Sequence, residues 1–275
     1  MRKSLFYLFC FIAIQFVCCR LVYLVWYLVD GMPLGQVLRL FGSGQIQPST
    51  DMMIVGTAFF GLVTVLVFTL KKWSPVSRDY LRSHPWVTLF WCVLATSGTI
   101  IPSVWLQEQL PELPNFLPTT FDGLLSRPLG YIFVGIIAPF VEELVFRGAI
   151  LRVLLGKFRS AWLAIFISAA LFSISHVNPA QMPHAFLLGL LIGWLYKRTG
   201  SIVPGVVLHW TNNTIAYVIF NLYPAANDMR LIDIFRGSQL HVWLSLLFSL
   251  FIFLPSIYQI YVRTGKLKVL AQASE

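Results

Sequence analysis

Eight stretches of this chain are apolar and long enough to cross a lipid bilayer, and they constrain its fold more than any other feature. A transmembrane helix needs roughly 20 mostly apolar residues, because each residue adds about 1.5 Å and the hydrocarbon core is about 30 Å thick. The stretches are 4–29, 52–70, 86–106, 129–154, 160–176, 181–197, 201–222 and 240–262. They predict an all-α polytopic membrane protein, a bundle of about eight transmembrane helices.

The composition supports a membrane protein and argues against one that binds nucleic acid. Charged residues make up 11% of the chain, less than half of the roughly 25% in soluble domains, and the mean hydropathy is +0.76. A net charge of +9 would suggest nucleic acid in a soluble protein, but the sequence shows no basic groove with interleaved aromatic residues. We therefore expect the lipid bilayer as a partner and no nucleic acid.

The basic residues predict the orientation of the bundle. Cytoplasmic segments of membrane proteins carry an excess of lysine and arginine, so the two sides of the predicted helices can be compared. The connections and ends on one side hold Arg2, Lys3, Lys71, Lys72, Arg78, Arg82, Arg152, Lys157, Arg159, Lys197, Arg198, Arg263, Lys266 and Lys268. The other side holds Arg39, Arg127, Arg230 and Arg236. Both termini are therefore expected in the cytoplasm.

The motifs divide the chain into three regions. Residues 1–127 hold three predicted spans without a diagnostic motif, residues 128–222 hold four predicted spans that carry all the candidate site residues and are expected to form the functional core, and residues 223–275 are expected to form an outer loop, the last span and a basic cytoplasmic tail. The first apolar run continues past Arg20, beyond the 7–15 residues of a signal peptide, so we expect an uncleaved first helix. The proline-rich connection 107–128 is expected on the outer surface as a lid or an interfacial helix.

Two adjacent acids, Glu142 and Glu143, are the only carboxylates within an apolar stretch of membrane length. A charge at bilayer depth costs a few kcal/mol, so such residues indicate a functional site. Residues four apart share a helix face, and Arg147 is therefore placed to pair with Glu143. Glu142 points about 100° away and lacks that partner. A structural ion pair would explain Glu143 but not Glu142, which we expect to act as a general acid or base.

Two histidines in neighbouring predicted spans share helix faces with other candidate site residues. His176 is four residues after Phe172, and His209 is four residues before Asn213. Polar and ionisable groups within a membrane face the bundle interior or a watered cavity. We expect these residues to share one such cavity with Glu142.

Three further histidines receive a structural interpretation. His84 lies in a polar connection, and His241 lies at the start of the last span. His184 begins the sixth span near its outer side. Capping a helix or lying at the membrane interface is expected there, rather than catalysis.

A glutamate, two histidines and an asparagine around one cavity are suited to activating water. Neither a Ser-x-Gly elbow nor an activated cysteine is visible, so a covalent intermediate is not expected. Glu142 with His176 would take a proton from water. His209 with Asn213 would donate hydrogen bonds to a developing oxyanion.

A zinc ion held by Glu142, His176 and His209, with water as the fourth ligand, is the alternative. The H-E-x-x-H signature of zinc peptidases is absent, so the spacing does not indicate a metal. The expectation is therefore an enzyme without a cofactor, with zinc as the second possibility.

The site residues resemble the three motifs of the CAAX protease and bacteriocin-processing family, also called Abi or type II CAAX prenyl endopeptidase-like. The matching motifs are E-E-x-x-x-R at Glu142, Glu143 and Arg147, F-x-x-x-H at Phe172 and His176, and H-x-x-x-N at His209 and Asn213. The resemblance covers about residues 128–217 and implies a glutamate-type intramembrane endopeptidase. It assigns water activation to Glu142 and His176. It assigns the oxyanion hole to His209 and Asn213.

Two other functions compete with an intramembrane endopeptidase. An ion-coupled transporter also uses buried glutamate and histidine, but transporters tend to show repeats and broken helices in both halves, whereas these site residues all lie in the second half. A non-catalytic scaffold or immunity-like protein would tolerate the loss of Glu142. The expected substrate is a membrane-associated protein or peptide, and the expected location is a prokaryotic inner membrane. Gly189 and Gly193 form a G-x-x-x-G that predicts close helix packing, within the chain or between protomers.

Overall fold

The structure, a computed structural model, describes residues 1–75, 78–116, 118–225 and 229–273. The side chains of residues 118–121 and 266–273 lie outside this description, and with them Lys266 and Lys268 of the predicted basic tail. All regular structure in the described ranges is helical. The helices are α1 (Arg2–Val29), α2 (Leu34–Ser43), α3 (Thr50–Leu70), α4 (Arg78–Arg82), α5 (Trp86–Glu108), α6 (Pro118–Leu125), α7 (Pro128–Lys157), α8 (Ala161–Ser175), α9 (Met182–Thr199), α10 (Val203–Leu222), α11 (Leu231–Ile234) and α12 (Gln239–Ala273).

A helix lies at each of the predicted apolar stretches. Among the described residues, five helices are long and apolar enough to cross a membrane, namely α1, α3, α5, α7 and α12. Helix α8 is apolar but has only 15 residues. The all-α polytopic membrane fold is thereby confirmed. The count of eight spans and the cytoplasmic location of the termini stay predictions.

Local signals in the sequence set where several helices begin and end. The Ser49 hydroxyl accepts a hydrogen bond from the Met52 N–H at 3.3 Å at the start of α3. The Ser160 hydroxyl accepts from the Leu163 N–H at 3.3 Å in the same way before α8. Helix α9 ends at Gly200, whose φ of 65° is left-handed and free of Cβ strain in glycine. These caps satisfy backbone groups that a helix end leaves unpaired.

Helix α7 is irregular on both sides of the two adjacent acids. It is a π-helix over Ile132–Ile137 and again over Leu144–Leu151, with the α-helical segment Ala138–Glu143 between them. A π-helical turn is wider than an α-helical turn and occurs often at functional sites. Glu142 and Glu143 therefore end a short α-helical segment that two wider turns enclose.

The G-x-x-x-G motif packs α9 against α8 within the chain. A Cβ atom on Gly189 would lie 3.0 Å from the Ala169 Cβ, and one on Gly193 would lie 2.8 Å from the Ile165 Cγ2. Both distances are shorter than ordinary carbon contacts, so only glycine permits this approach. The close helix packing predicted from the motif is intramolecular.

The connection 107–128 is fastened to the link between α8 and α9. The Phe116 N–H donates to the Asn178 Oδ1 at 3.2 Å, and the Asn178 Nδ2 donates to the Asn115 Oδ1 at 2.9 Å. Asn178 is 2% exposed, so these bonds are shielded from solvent. Leu125, near the other end of the connection, forms part of a cavity wall. The described part of the connection therefore lies at the same end of the bundle as the link between α8 and α9, and its role as a lid or an interfacial helix stays a prediction.

Candidate active site

One cavity of about 530 Å³ collects polar side chains from α7, α9, α10 and the link after α8. Its ionisable and amide-bearing lining residues are Glu142, His176, Gln181, His184, His209, Asn212 and Asn213. Much of the remaining wall is apolar and includes Ile100 and Val104 of α5 and Ile219 of α10. Four of the six predicted site residues line this cavity, and the other two, Glu143 and Arg147, are buried beside it.

Glu143 is fully buried and holds two partners with one carboxylate oxygen. Its Oε1 accepts a hydrogen bond from Arg147 Nη1 at 2.8 Å and lies 3.0 Å from His209 Nδ1. Because a carboxylate oxygen accepts, His209 carries a hydrogen on Nδ1. Arg147 Nη2 also donates to the Gly189 carbonyl at 3.2 Å. The network ties α7 to α9 and α10 and fixes the orientation of the His209 ring.

The Phe172 ring packs against both histidine rings in edge-on contacts. Its ring centroid lies 4.8 Å from that of His176 and 5.7 Å from that of His209, with interplanar angles of 89° and 88°. The Arg147 guanidinium lies 4.5 Å from the same centroid, within the range of a cation–π contact. Phe172 therefore has a packing role that connects three of the predicted site residues.

Glu142 differs from its neighbour in exposure and in contacts. Its side chain is 25% exposed, against 0% for Glu143. The Glu142 Oε2 lies 3.8 Å from His209 Nε2, which is longer than a hydrogen bond. Glu142 can therefore be reached from the cavity, whereas Glu143 cannot.

His176 lies at the C-terminal cap of α8 with a defined ring orientation. Its Nδ1 lies 2.9 Å from the Phe172 carbonyl oxygen. A carbonyl only accepts hydrogen bonds, so the hydrogen is on Nδ1. In the neutral ring this leaves Nε2 as the basic nitrogen.

A chain of hydrogen bonds orients the two asparagines of α10. Asn213 Nδ2 donates to the Val134 carbonyl at 2.9 Å, so its Oδ1 is the atom that accepts from Asn212 Nδ2 at 3.1 Å. The Asn212 Oδ1 then accepts from His184 Nε2 at 3.0 Å. The Ser103 hydroxyl lies 2.6 Å from His184 Nδ1 and completes the chain. The direction of each hydrogen bond follows from the Val134 carbonyl at one end of this series, because a carbonyl oxygen can only accept.

The expectation that His184 caps a helix is wrong, because both of its ring nitrogens bond to other side chains; a position at the membrane interface stays a prediction. Its ring lines the cavity and connects Ser103 of α5 to Asn212 of α10. Asn212 was also missed as a site residue, although its position directly before Asn213 in the sequence is a signal that could have indicated it. Ser103 has no such signal, because it lies 81 positions from His184 along the chain.

The described part of the chain contains no set of side chains already arranged as zinc ligands. No group of three or more His, Cys, Asp or Glu side chains is placed there to hold a metal ion. Of the three candidate ligands, His176 and His209 each use Nδ1 in a hydrogen bond, which leaves Nε2 of each ring for other partners.

The fold and the site together define a polytopic membrane protein in which a glutamate, histidines and asparagines line one cavity. The model of the family described as type II CAAX prenyl endopeptidase Rce1-like matches residues 124–215. The chain belongs to this family of membrane endopeptidases. The matched residues coincide closely with the 128–217 over which the motifs resemble the family.

Bacterial relatives agree with this placement. The chain is 27% identical over 175 residues to the membrane-embedded CAAX protease MroQ of Staphylococcus aureus, a match that spans 59% of this chain and 71% of that protein. It is 31% identical over 194 residues to an uncharacterized 24.3 kDa protein of Escherichia coli, spanning 66% and 84%. It is 23% identical over 161 residues to the UPF0177 protein YxdF of Lactococcus lactis, spanning 55% and 88%. No solved structure matches the chain.

Proposed function

We propose that this protein is an intramembrane endopeptidase that hydrolyses a peptide bond of a membrane-associated protein or peptide without a metal. One observation carries the proposal: three helices and a helix cap direct a carboxylate, imidazole rings and an amide into one cavity. This is the set of groups that activation of water and stabilisation of an oxyanion require. The membrane-endopeptidase family of the chain supports the same reaction class.

The two acids have different roles in this proposal. Glu142 faces the cavity, so it is the general base that takes a proton from water. Glu143 is fully buried and its Oε1 is held by both Arg147 and His209, so it is a positioning residue. His176, with Nδ1 bound to the Phe172 carbonyl, directs Nε2 to help hold the attacking water.

His209 and Asn213 supply the hydrogen bonds for the oxyanion. Asn213 Nδ2 has two hydrogens, of which one is used by the Val134 carbonyl and the other is available to the cavity. Because His209 Nδ1 faces Glu143, Nε2 is the ring nitrogen left for the cavity, and it donates when both ring nitrogens carry hydrogen.

The reaction then proceeds in two steps. Glu142 removes a proton from water as the water oxygen bonds to the peptide carbonyl carbon, and the carbonyl oxygen becomes an oxyanion. The oxyanion returns its electrons as the carbon–nitrogen bond breaks, and the proton on Glu142 passes to the departing amine. The products are an amine and a carboxylic acid, which releases its proton to water, and Glu142 is again ionised for another cycle.

The location proposed for this activity is a prokaryotic cell membrane. The chain is an integral membrane protein, and the relatives named above are bacterial. The cavity is not confined to the four spans of residues 128–222, because Thr57, Ile100 and Val104 from the first sequence region also line it.

Purified protein tests the proposal. Wild type and Glu142→Gln are incubated with candidate membrane peptides in detergent, with and without a chelator, and the products are identified by mass spectrometry. Cleavage by wild type that survives chelation, and a loss of about 10²–10⁴-fold in Glu142→Gln, are expected for a general base. Loss on chelation that zinc restores would replace this mechanism with the metal one. Equal turnover by the two proteins would contradict the role of Glu142, and no cleavage by either would favour the scaffold function.

A further inference from the structure

The two ends of the bundle differ in charge. Segments rich in basic residues meet at one end, as three contacts record. Arg152 Nη2 donates to the Trp73 carbonyl at 2.7 Å, and the rings of Tyr7 and Trp73 lie 5.0 Å apart. Arg198 Nε donates to the Thr264 hydroxyl at 2.6 Å. A Cβ on Gly148 of α7 would lie 3.0 Å from the Ser74 Cβ and 3.5 Å from the Ile202 Cγ2, which joins the two groups. The N-terminus of α1, the 71–75 segment, the C-termini of α7 and α9 and the C-terminal part of α12 therefore form one basic end.

The opposite end gathers the segments that are poor in basic residues. The Tyr27 hydroxyl donates to the Gln47 carbonyl at 3.0 Å, and Gln107 Nε2 donates to the Ala180 carbonyl at 2.8 Å. Among the four arginines of this end, Arg127 is paired with Asp51 at 2.6 Å. Its charge is thereby largely offset.

The cavity extends toward the end that is poor in basic residues. Its lining includes Val104 near the last turn of α5, Leu125, Gln181 just before α9, and Phe220 near the last turn of α10. All four positions belong to the segments that meet at that end. Glu142 is consequently approached from there.

The way from the basic end to the site is closed by packed side chains. Ile150, Leu151, Leu154, Ile165 and Leu195 are each 0% exposed and lie between the buried ion pair and the basic end. Protein interiors of this kind are close-packed and hold few voids larger than water. A peptide segment cannot reach Glu142 through this layer without unpacking it.

We propose that the catalytic cavity opens on the extracytoplasmic side of the membrane and takes an apolar segment of an exported or outward-facing membrane polypeptide. The basic end is cytoplasmic by the positive-inside rule, so the open end faces away from the cytoplasm. The apolar wall of Ile100, Val104, Leu125 and Ile219 suits apolar side chains on both sides of the cleaved bond. This inference rests on the proposed peptidase function, and it excludes a cytoplasmic chain terminus as the substrate.

Cysteine labelling tests the side of access without any need for activity. Spheroplasts carrying Gln45→Cys, Ser83→Cys, Ala216→Cys or Val218→Cys react with a membrane-impermeant maleimide before and after permeabilisation. Gln45 is exposed at the end that is poor in basic residues and Ser83 is exposed at the basic end, while Ala216 lines the cavity. Val218 is 42% exposed on the same helix outside the cavity lining. The unaltered chain, whose four cysteines lie within predicted spans, gives the background.

We expect Gln45→Cys and Ala216→Cys to be labelled in intact spheroplasts and Ser83→Cys only after permeabilisation. Val218→Cys should stay at background, because it faces lipid. Labelling of Ser83→Cys in intact spheroplasts, or of Ala216→Cys only after permeabilisation, would overturn the proposal.

Vesicles of defined sidedness test access of the substrate itself. A peptide that does not cross membranes should be cleaved by right-side-out vesicles and at least tenfold more slowly by sealed inverted vesicles, with Glu142→Gln as the blank. Glu142-dependent cleavage in detergent together with cleavage only by inverted vesicles would overturn this inference and leave the peptidase function intact. Absence of Glu142-dependent cleavage in detergent would overturn the peptidase function, while the labelling would still decide the side on which the cavity opens.

Discussion

His209 Nδ1 lies 3.0 Å from Glu143 Oε1, the same oxygen that accepts the hydrogen bond from Arg147. A single oxygen atom therefore joins α10 to α7 and sets the direction of the imidazole that faces Glu142. The carboxylate is fully buried, as is the guanidinium. Charge balance and ring orientation thus depend on the same side chain.

Glu143→Gln should reduce both activity and stability. The variant keeps the shape of the side chain but leaves Arg147 as a buried charge without its partner, which costs about 3–5 kcal/mol. His209 also loses the charged acceptor that orients its ring. Thermal unfolding in detergent and peptide cleavage measure the two effects.

Glu142→Gln is the matched control for this prediction. It should lose cleavage while its unfolding midpoint stays close to that of wild type, because Glu142 is 25% exposed and is not part of the buried pair. Equal stability of Glu143→Gln and Glu142→Gln would contradict the structural role given to Glu143.

Asn213→Ala should slow catalysis with little change in substrate binding. The substitution removes one proposed oxyanion donor, and the loss of such a donor typically costs about 10²–10³-fold in kcat. Steady-state kinetics should therefore show a lower kcat and a nearly unchanged KM. A raised KM with normal kcat would instead place Asn213 in substrate binding.

His184→Phe should lower kcat by about tenfold, and it should do so only through Asn213. His184 orients Asn212, and Asn212 orients Asn213, so the ring is a positioning residue. In a double-mutant cycle, His184→Phe should cost little more once Asn213→Ala is present. His184→Gln, which keeps a donor and an acceptor, should restore much of the activity. Independent, additive losses would contradict this role.

Gly98→Ala should destabilise the bundle where α5 meets α12. A Cβ on Gly98 would lie 2.8 Å from the backbone nitrogen of Phe253, and backbone atoms cannot move aside as a side chain can. Overpacking of this kind costs about 1–3 kcal/mol. Gly156→Ala is the control, because a Cβ there meets nothing within 4 Å and alanine favours helix. Its unfolding midpoint should equal or exceed that of wild type.

Much of the local structure could be predicted from the sequence. Continuous apolar runs indicate helices, and helices lie at all of the predicted stretches. The spacing of four residues correctly predicted that Glu143 and Arg147 pair, and that Phe172 and His176 share a face. These relationships depend only on the geometry of one helix.

Contacts between helices could not be predicted in this way. Periodicity shows which face of a helix is buried but not which helix covers it, so the bond between His209 and Glu143, 66 positions apart, was not foreseen. His184 was misplaced for the same reason, because its partners lie on α5 and α10. The π-helical turns around the two acids also lack a signal in the pattern of apolar residues.

Asn178 ties the connection 107–128 to the segment that follows His176. It follows His176 by two residues and is bonded to residues 115 and 116 of the connection. Displacing the connection far enough to break these bonds would free the Asn178 side chain, whereas the contact between His176 Nδ1 and the Phe172 carbonyl does not involve Asn178. The connection and the link after α8 are therefore held together through one buried amide, so loss of Asn178 is expected to loosen residues 115 and 116 without changing which nitrogen of His176 carries the hydrogen.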